Sequence, residues 1–520
     1  MERLPVELLE RVCCFLCFHC RTPGCFPNAD IADVVADKAS LARLCRVSKS
    51  VCAVAQPFVF HYYATGNLPW YYRDDPTNPG YLYSLLLESW PRTNDLLPFF
   101  LRSIILRPDL AKCVRALQLV TPQYVKKALI WHKGPEDDIS PAIRKASTDL
   151  GLVAFNVFHP EYMHWVRNKP DPEDHITIGY VHHTLEQLAI LLCLRVSTLL
   201  LMGDFSPYTG NLLRSSGRTF PALKTIGLIS HDNSGHYAHT GPGLLSLAPN
   251  LQTLYAIDAR NKDLTMPPSP DRISGVAPFE GSPGASLFAV LQKAALHDLG
   301  LRALFAFVRA APALCELCYT ETWGGHYERP EDYFWDLARG LEPARHTLRR
   351  LVLRVPAVPG SPSPGAAVGS LGGLERLEEL SISQAAVYGF GGGGDSVPPL
   401  AGGLVGFLPA SLVELCISQV DQDFEADLRE LARDAPRCLP RLRSVTVGCG
   451  DNGLAIPESV DGEVLGFYGE KVRAELRDVF EKVGIVLRWG PWIEDEGEDV
   501  PGLPVCKPHS DGNSWELTIW

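Results

Sequence analysis

Apolar positions along the chain follow two patterns. The first is helical and opens the sequence. Pro5 suits the first turn of a helix, where its missing N–H costs nothing. Leu8, Leu9, Val12, Phe15 and Leu16 follow at offsets of one, four, seven and eight, which predicts one face of an α-helix. Glu7, Glu10 and Arg11 fall on the other side, and Leu4 precedes Pro5 as a staple. A second helical stripe reads Leu41, Leu44, Val47, Val51 and Ala55, with a break near Ser48–Ser50 and an end at Pro57. Two or three short helices in about sixty residues bury little surface alone. An apolar face here is therefore expected to meet another protein.

The second pattern is apolar-x-x-apolar-x-apolar, and it recurs from about residue 100 to 490. It begins with Val114, Leu117 and Leu119, then Val196, Leu199 and Leu201, then Leu223, Ile226 and Leu228. Leu251, Leu254 and Ala256 follow, then Leu314, Leu317 and Tyr319, then Leu348, Leu351 and Leu353. Leu377, Leu380 and Ile382, Leu412, Leu415 and Ile417, and Leu442, Val445 and Val447 complete the series. Most steps from Val196 onward are roughly 27–35 residues, and the step from Leu251 to Leu314 is about double. That long step predicts a degenerate repeat or an insertion. Between these strands, 287–312, 331–347 and 423–436 read as helices. Val472, Leu476, Val479 and Phe480 predict one more helix, followed by a strand at Ile485–Leu487. The unit is helix, turn, short strand, so the expected fold class is α/β.

Glycine- and proline-rich stretches at 281–286, 358–370 and 389–399 read as loops. The glycine run lacks the Lys-Ser/Thr of a phosphate-binding loop. The tail IEDEGEDVPG is acidic, and the terminal SWELTIW alternates like a strand that closes the repeat array.

Composition narrows the function. The net charge is -12, which argues against a general nucleic-acid surface. No apolar run is long enough to span a bilayer, since 188–202 is short and broken by Arg195. The amino terminus carries Glu2 and Glu7 and lacks a secretory signal pattern. The fifteen cysteines are then best read as reduced thiols in the cytoplasm or nucleus.

Candidate chemistry is sparse. Cys14, Cys17, His19, Cys20 and Cys25 have metal-ligand types, but they supply one partial knuckle, and structural zinc takes four ligands converging from two elements. Packed thiols are the expected role, with no metal and no cofactor. Cys315-x-x-Cys318 lies in a strand pattern and reads as packing. His182-His183 and the scattered carboxylates lack catalytic spacing, so the chain is not expected to be an enzyme.

Two resemblances give these patterns a meaning. Leu4-Pro5-x-Glu7-Leu8-Leu9-x-x-Val12, Leu41-x-x-Leu44-x-x-Val47-Ser48-Lys49, Pro57 and Phe60 resemble the F-box motif. The resemblance implies a small helical bundle that binds the Skp-type adaptor of a cullin–RING ubiquitin ligase. The residues it points to are Leu4, Pro5, Leu8, Leu9, Val12, Leu16, Leu41, Leu44, Val47, Val51, Pro57 and Phe60. The sequence departs from the family in a long segment at 17–40 and in Val51, where Trp or Phe is common. The second pattern resembles leucine-rich repeats, though the asparagine usual after the strand is missing. It implies a solenoid with parallel strands whose concave face carries Glu316, Thr320, Arg350, Arg354, Glu379, Ser383, Glu414 and Ser418.

The expected organisation is an F-box-like domain at 1–62, a connector at 63–99, a solenoid at 100–490, and an acidic tail with a closing strand at 491–520. The implied function is a substrate receptor: the F-box docks on the adaptor and the solenoid holds an unknown target protein, with no nucleic acid and no membrane. The alternatives are an interaction scaffold outside any ligase, and a zinc-binding module on Cys14, Cys17, His19 and Cys20.

Overall fold

The computed structural model describes residues 4–23, 31–64, 97–120, 139–150, 185–202, 213, 216–229, 244–257, 288–297, 301–320, 337–354, 369–388, 403–420, 424–449, 470–490, 504–508 and 515–519. Cys25, His182, His183, the loops at 281–286 and 389–399, most of 358–370, residues 331–336, most of the connector and the acidic tail lie outside them. The chain divides into two compact units, Met1–Tyr255 with Asp499–Trp520, and Ala256–Glu498.

The first unit opens with four helices: α1 (Val6–Phe15), α2 (Phe18–Arg21), α3 (Ile31–Leu44) and α4 (Lys49–His61). Ser48 caps α4 by accepting the Val51 N–H at 3.3 Å. Pro57 does not end α4, which continues for another turn to His61. A proline deletes one backbone hydrogen bond; here Phe58 and Val59 pack beyond it against the helical core and hold the turn.

Chain direction then changes from helix to strand without a linker. β1 (Tyr62–Ala64) pairs in parallel with β2 (Ala116–Val120), Tyr62 opposite Ala116. The Tyr62 hydroxyl donates to Gln118 at 2.5 Å, and the Lys38 amine of α3 donates to the Tyr62 carbonyl at 2.6 Å. The helical segment is thus stapled to the sheet that follows it. β3 (Thr198–Met202), β4 (Thr225–Ile229) and β5 (Thr253–Ile257) extend the sheet in chain order.

The second unit repeats the rule. β6 (Lys293–His297), β7 (Glu316–Thr320), β8 (Arg350–Arg354), β9 (Glu379–Ser383), β10 (Glu414–Val420), β11 (Ser444–Cys449) and β12 (Val486–Gly490) lie side by side, parallel and in chain order. Register aligns the apolar positions into ladders. Ala294, Leu317, Leu351, Leu380, Leu415, Val445 and Leu487 form one rung series, and Leu296, Tyr319, Leu353, Ile382, Ile417, Val447 and Trp489 the next. Apart from Trp489, all are buried.

Each of the nine sequence patterns is a strand. Two strands of the parallel sheet were not anticipated. β1 carries two tyrosines and an alanine, with no leucine signature. β6 lies inside 287–312, where the pattern predicted a continuous helix; the helix occupies only Leu301–Ala310. Leu291, Ala294 and Leu296 are the apolar triplet of β6, and all are buried. Its central position is alanine, which by itself favours a helix, and register with Leu317 decides for the strand. This strand also explains the doubled step after Leu251.

The returns between strands are uneven. They range from the 3-10 turn Leu371–Gly373 to the helix Glu425–Cys438. The last return, Glu470–Lys482, ends at Gly484 with φ +76°, a left-handed conformation that favours glycine. The Ile485 N–H reaches back to the Phe480 carbonyl at 3.0 Å and closes the helix end. SWELTIW is a strand, β14 (Trp515–Ile519), but it pairs antiparallel with β13 (Pro504–Pro508) in a sheet of two and adds nothing to the parallel array.

Candidate functional site

α1 carries two apolar stripes, where the sequence suggested one. Leu9, Cys13 and Cys17, four residues apart, turn inward and pack with Leu41, Leu44, Val51 and Ala55. Leu16 is half-buried against the same cluster. The cysteines supply the core stripe as small hydrophobes. Leu8, Val12 and Phe15, at i, i+4 and i+7, form the second stripe and face solvent. Their exposures are 45%, 43% and 72%, against 5% for Leu9. Leu4, Val6 and Val47 are exposed too.

This splits the proposed adaptor residues by physics. Leu9, Leu41, Leu44 and Val51 are enclosed by their own chain and line no surface. Pro57 and Phe60 are half-buried, and the Phe60 ring stacks on Phe100 at 6.3 Å. Leu4, Pro5, Leu8, Val12 and Val47 are open to solvent, joined by Phe15.

A polar cluster lies behind the core stripe. Cys17 precedes α2 and Cys20 lies within it; His61 closes α4. The His61 Nδ1 stands 3.4 Å from the Cys20 Sγ and 3.8 Å from the Cys17 Sγ. Cys20, by hydrogen bonding, and then His61 hold the Cys17 thiol down at about 4, against the opposing effect of burial. The same Cys17 contact, followed by burial, pushes the Cys20 thiol up, so the pair retains one proton. Burial lowers the pKa of His19, whose ring meets His61 edge-on at 5.8 Å. The sequence exposed Cys17 and Cys20 as candidates but could not supply His61, which lies 41 residues beyond Cys20. Cys14 is exposed on α1.

The second candidate surface is the strand face opposite the leucine ladders. Lys293, Glu316, Arg350, Glu379 and Glu414 occupy one register row. Lys293 pairs with Glu316 at 2.7 Å, and Arg350 with Glu379 at 3.3 Å. Thr320 stands beside Arg354, and Ser418 beside Ser383, four residues further along the same face. Ser383 is buried, so it offers no surface to a partner. Cys318 lies half-buried on this face, and Cys315 donates to the Gln292 carbonyl at 3.2 Å.

Among the described residues, no helix is long and apolar enough to cross a membrane. No protein-family model matches the chain, and no curated protein matches it at a significant level.

Proposed function

We propose that the chain is a non-catalytic substrate-recognition subunit of a Skp–cullin–F-box ubiquitin ligase, working in the cytoplasm or nucleus. In this reading residues 4–61 are an F-box and the parallel strands belong to a leucine-rich-repeat-like solenoid. The observation that carries it is the second stripe of α1. Its helix already has a complete core through Leu9, Cys13 and Cys17, yet keeps Leu8, Val12 and Phe15 in water. An apolar helix face left open in this way is what a partner's surface would cover. The strand order and the leucine ladders support the solenoid half of the reading. Its mixed-charge row offers a target protein directional contacts, which favour specificity over affinity. The transfer chemistry belongs to the other ligase subunits.

Co-expression of the full chain with a Skp-type adaptor tests the proposal. A stable complex, recovered through a tag on either partner, is the expected result. A well-folded chain that never associates with the adaptor sinks the receptor reading and leaves a scaffold outside any ligase.

A further inference from the structure

We infer that Cys17, Cys20 and His61 are three ligands of a site for a thiophilic divalent cation of the zinc class, with the Cys14 thiol closing the fourth position. The three ligand atoms lie within 4.8 Å of one another. Metal–sulfur and metal–nitrogen bonds of about 2.3 and 2.0–2.1 Å at a tetrahedral angle set sulfur and nitrogen about 3.6 Å apart. The observed 3.4 and 3.8 Å bracket that edge. Two separate elements converge here, the α1–α2 junction and the end of α4, which is what the linear cysteine spacing lacked. Cys14 lies one turn before Cys17, whose N–H donates to the Cys14 carbonyl at 3.1 Å, which puts a fourth thiol beside the cluster.

The surroundings fit a closed structural site. Phe58 covers His61 at 4.7 Å, and the His19 Nδ1 is buried with no hydrogen-bond partner. The metal would tie the start of the helical segment to the residue that leads into β1. Binding replaces thiol protons with metal–thiolate bonds and releases those protons to solvent, with no change of oxidation state. Nothing in this site depends on adaptor binding, so either proposal can fail without the other.

Cobalt(II) titration of the full, reduced chain tests the site. The expected result is a thiolate-to-cobalt charge-transfer band that saturates near one equivalent and is removed by zinc. Cys20→Ser and His61→Ala should each weaken uptake at least about tenfold, whereas Cys113→Ser, outside the cluster, should match wild type. His61→Cys keeps a ligand in place, so it guards against loss of folding; it should bind cobalt with a stronger charge-transfer band. A folded wild-type chain that develops no such band overturns the proposal. So does uptake that is unaltered in Cys20→Ser and His61→Ala, or a band in His61→Cys no stronger than wild type.

Discussion

Two apolar surfaces in this protein are built on opposite principles. In β6–β12 each leucine is completed by the leucine of the next strand: Leu351 and Leu380 are neighbours in register, and both are buried. Every repeat supplies what its neighbour lacks, so the array consumes its own hydrophobic surface. In α1 the inward stripe is satisfied in the same way, but Leu8, Val12 and Phe15 find no counterpart among the described residues. Identical residue types therefore mean different things in the two places. A leucine in the ladder is there for stability. A leucine on the outer stripe of α1 adds little to folding and is available for association.

The ladder gives the largest expected effect. Leu351→Ala should cost about 2–5 kcal/mol of stability through lost burial and a residual cavity. Leu351→Asp should cost more, because an unpaired charge replaces the apolar contact. Denaturant midpoints of the two variants measure this. An Asp variant as stable as wild type would mean that the rungs are not packed as described.

The stripes of α1 provide the direct contrast within one helix. Leu9→Ala should destabilise by about 2–5 kcal/mol. Leu8→Asp should change stability by less than about 0.5 kcal/mol while weakening adaptor binding at least tenfold, since 1.4 kcal/mol is a factor of ten and a buried aliphatic anchor is worth about 1.5–3 kcal/mol. Measuring unfolding and adaptor affinity on both variants separates the roles. If Leu8→Asp binds the adaptor like wild type, the outer stripe is not the docking face.

How much of this was legible follows from the periods. The strand signature is local: three apolar positions within six residues identified Leu348, Leu351 and Leu353 as one unit, and the ladder repeats that signal. β6 escaped because Ala294, from the strongest helix-forming residue type, spoke for a helix; only Leu317 beside it settles the state. The stripes of α1 were blurred for a related reason. Leu8 and Leu9 are adjacent in sequence and point to different sides of the helix, and the inward partner of Leu9 is Cys13, which reads as a thiol before it reads as a hydrophobe. His61 could not be joined to Cys17 and Cys20 by spacing at all. Its place depends on α4 running past Pro57, and a proline is ordinarily taken as an end.

The joint between the helical segment and β1 offers a pH test. Burial pulls the Lys38 amine down to about 8, from an ordinary value near 10.5. Between those values the unfolded chain binds more protons than the folded one, so folding gains stability as pH rises through the window. The contribution is present above about 10.5 and lost as pH falls to about 8. Wild type should therefore gain on Lys38→Met across that range, and the difference in denaturant midpoint should be flat below it. A flat difference throughout would mean that Lys38 stays hydrated beside Tyr62.

The smallest effect is expected on the polar face, and its size sharpens the contrast with the ladder. Arg350 and Leu351 are neighbours in one strand and face opposite sides of the sheet. Arg350 pairs with Glu379 at 3.3 Å, yet the Glu379 side chain is half exposed, so solvent screens the pair and side-chain ordering offsets part of the attraction. Arg350→Ala should cost less than about 1 kcal/mol, and the deficit should shrink further at high salt. Paired with Leu351→Ala, it measures the two faces of one strand by one method. A loss from Arg350→Ala as large as that from Leu351→Ala would mean that the row is an internal structural network and not a surface for a target protein.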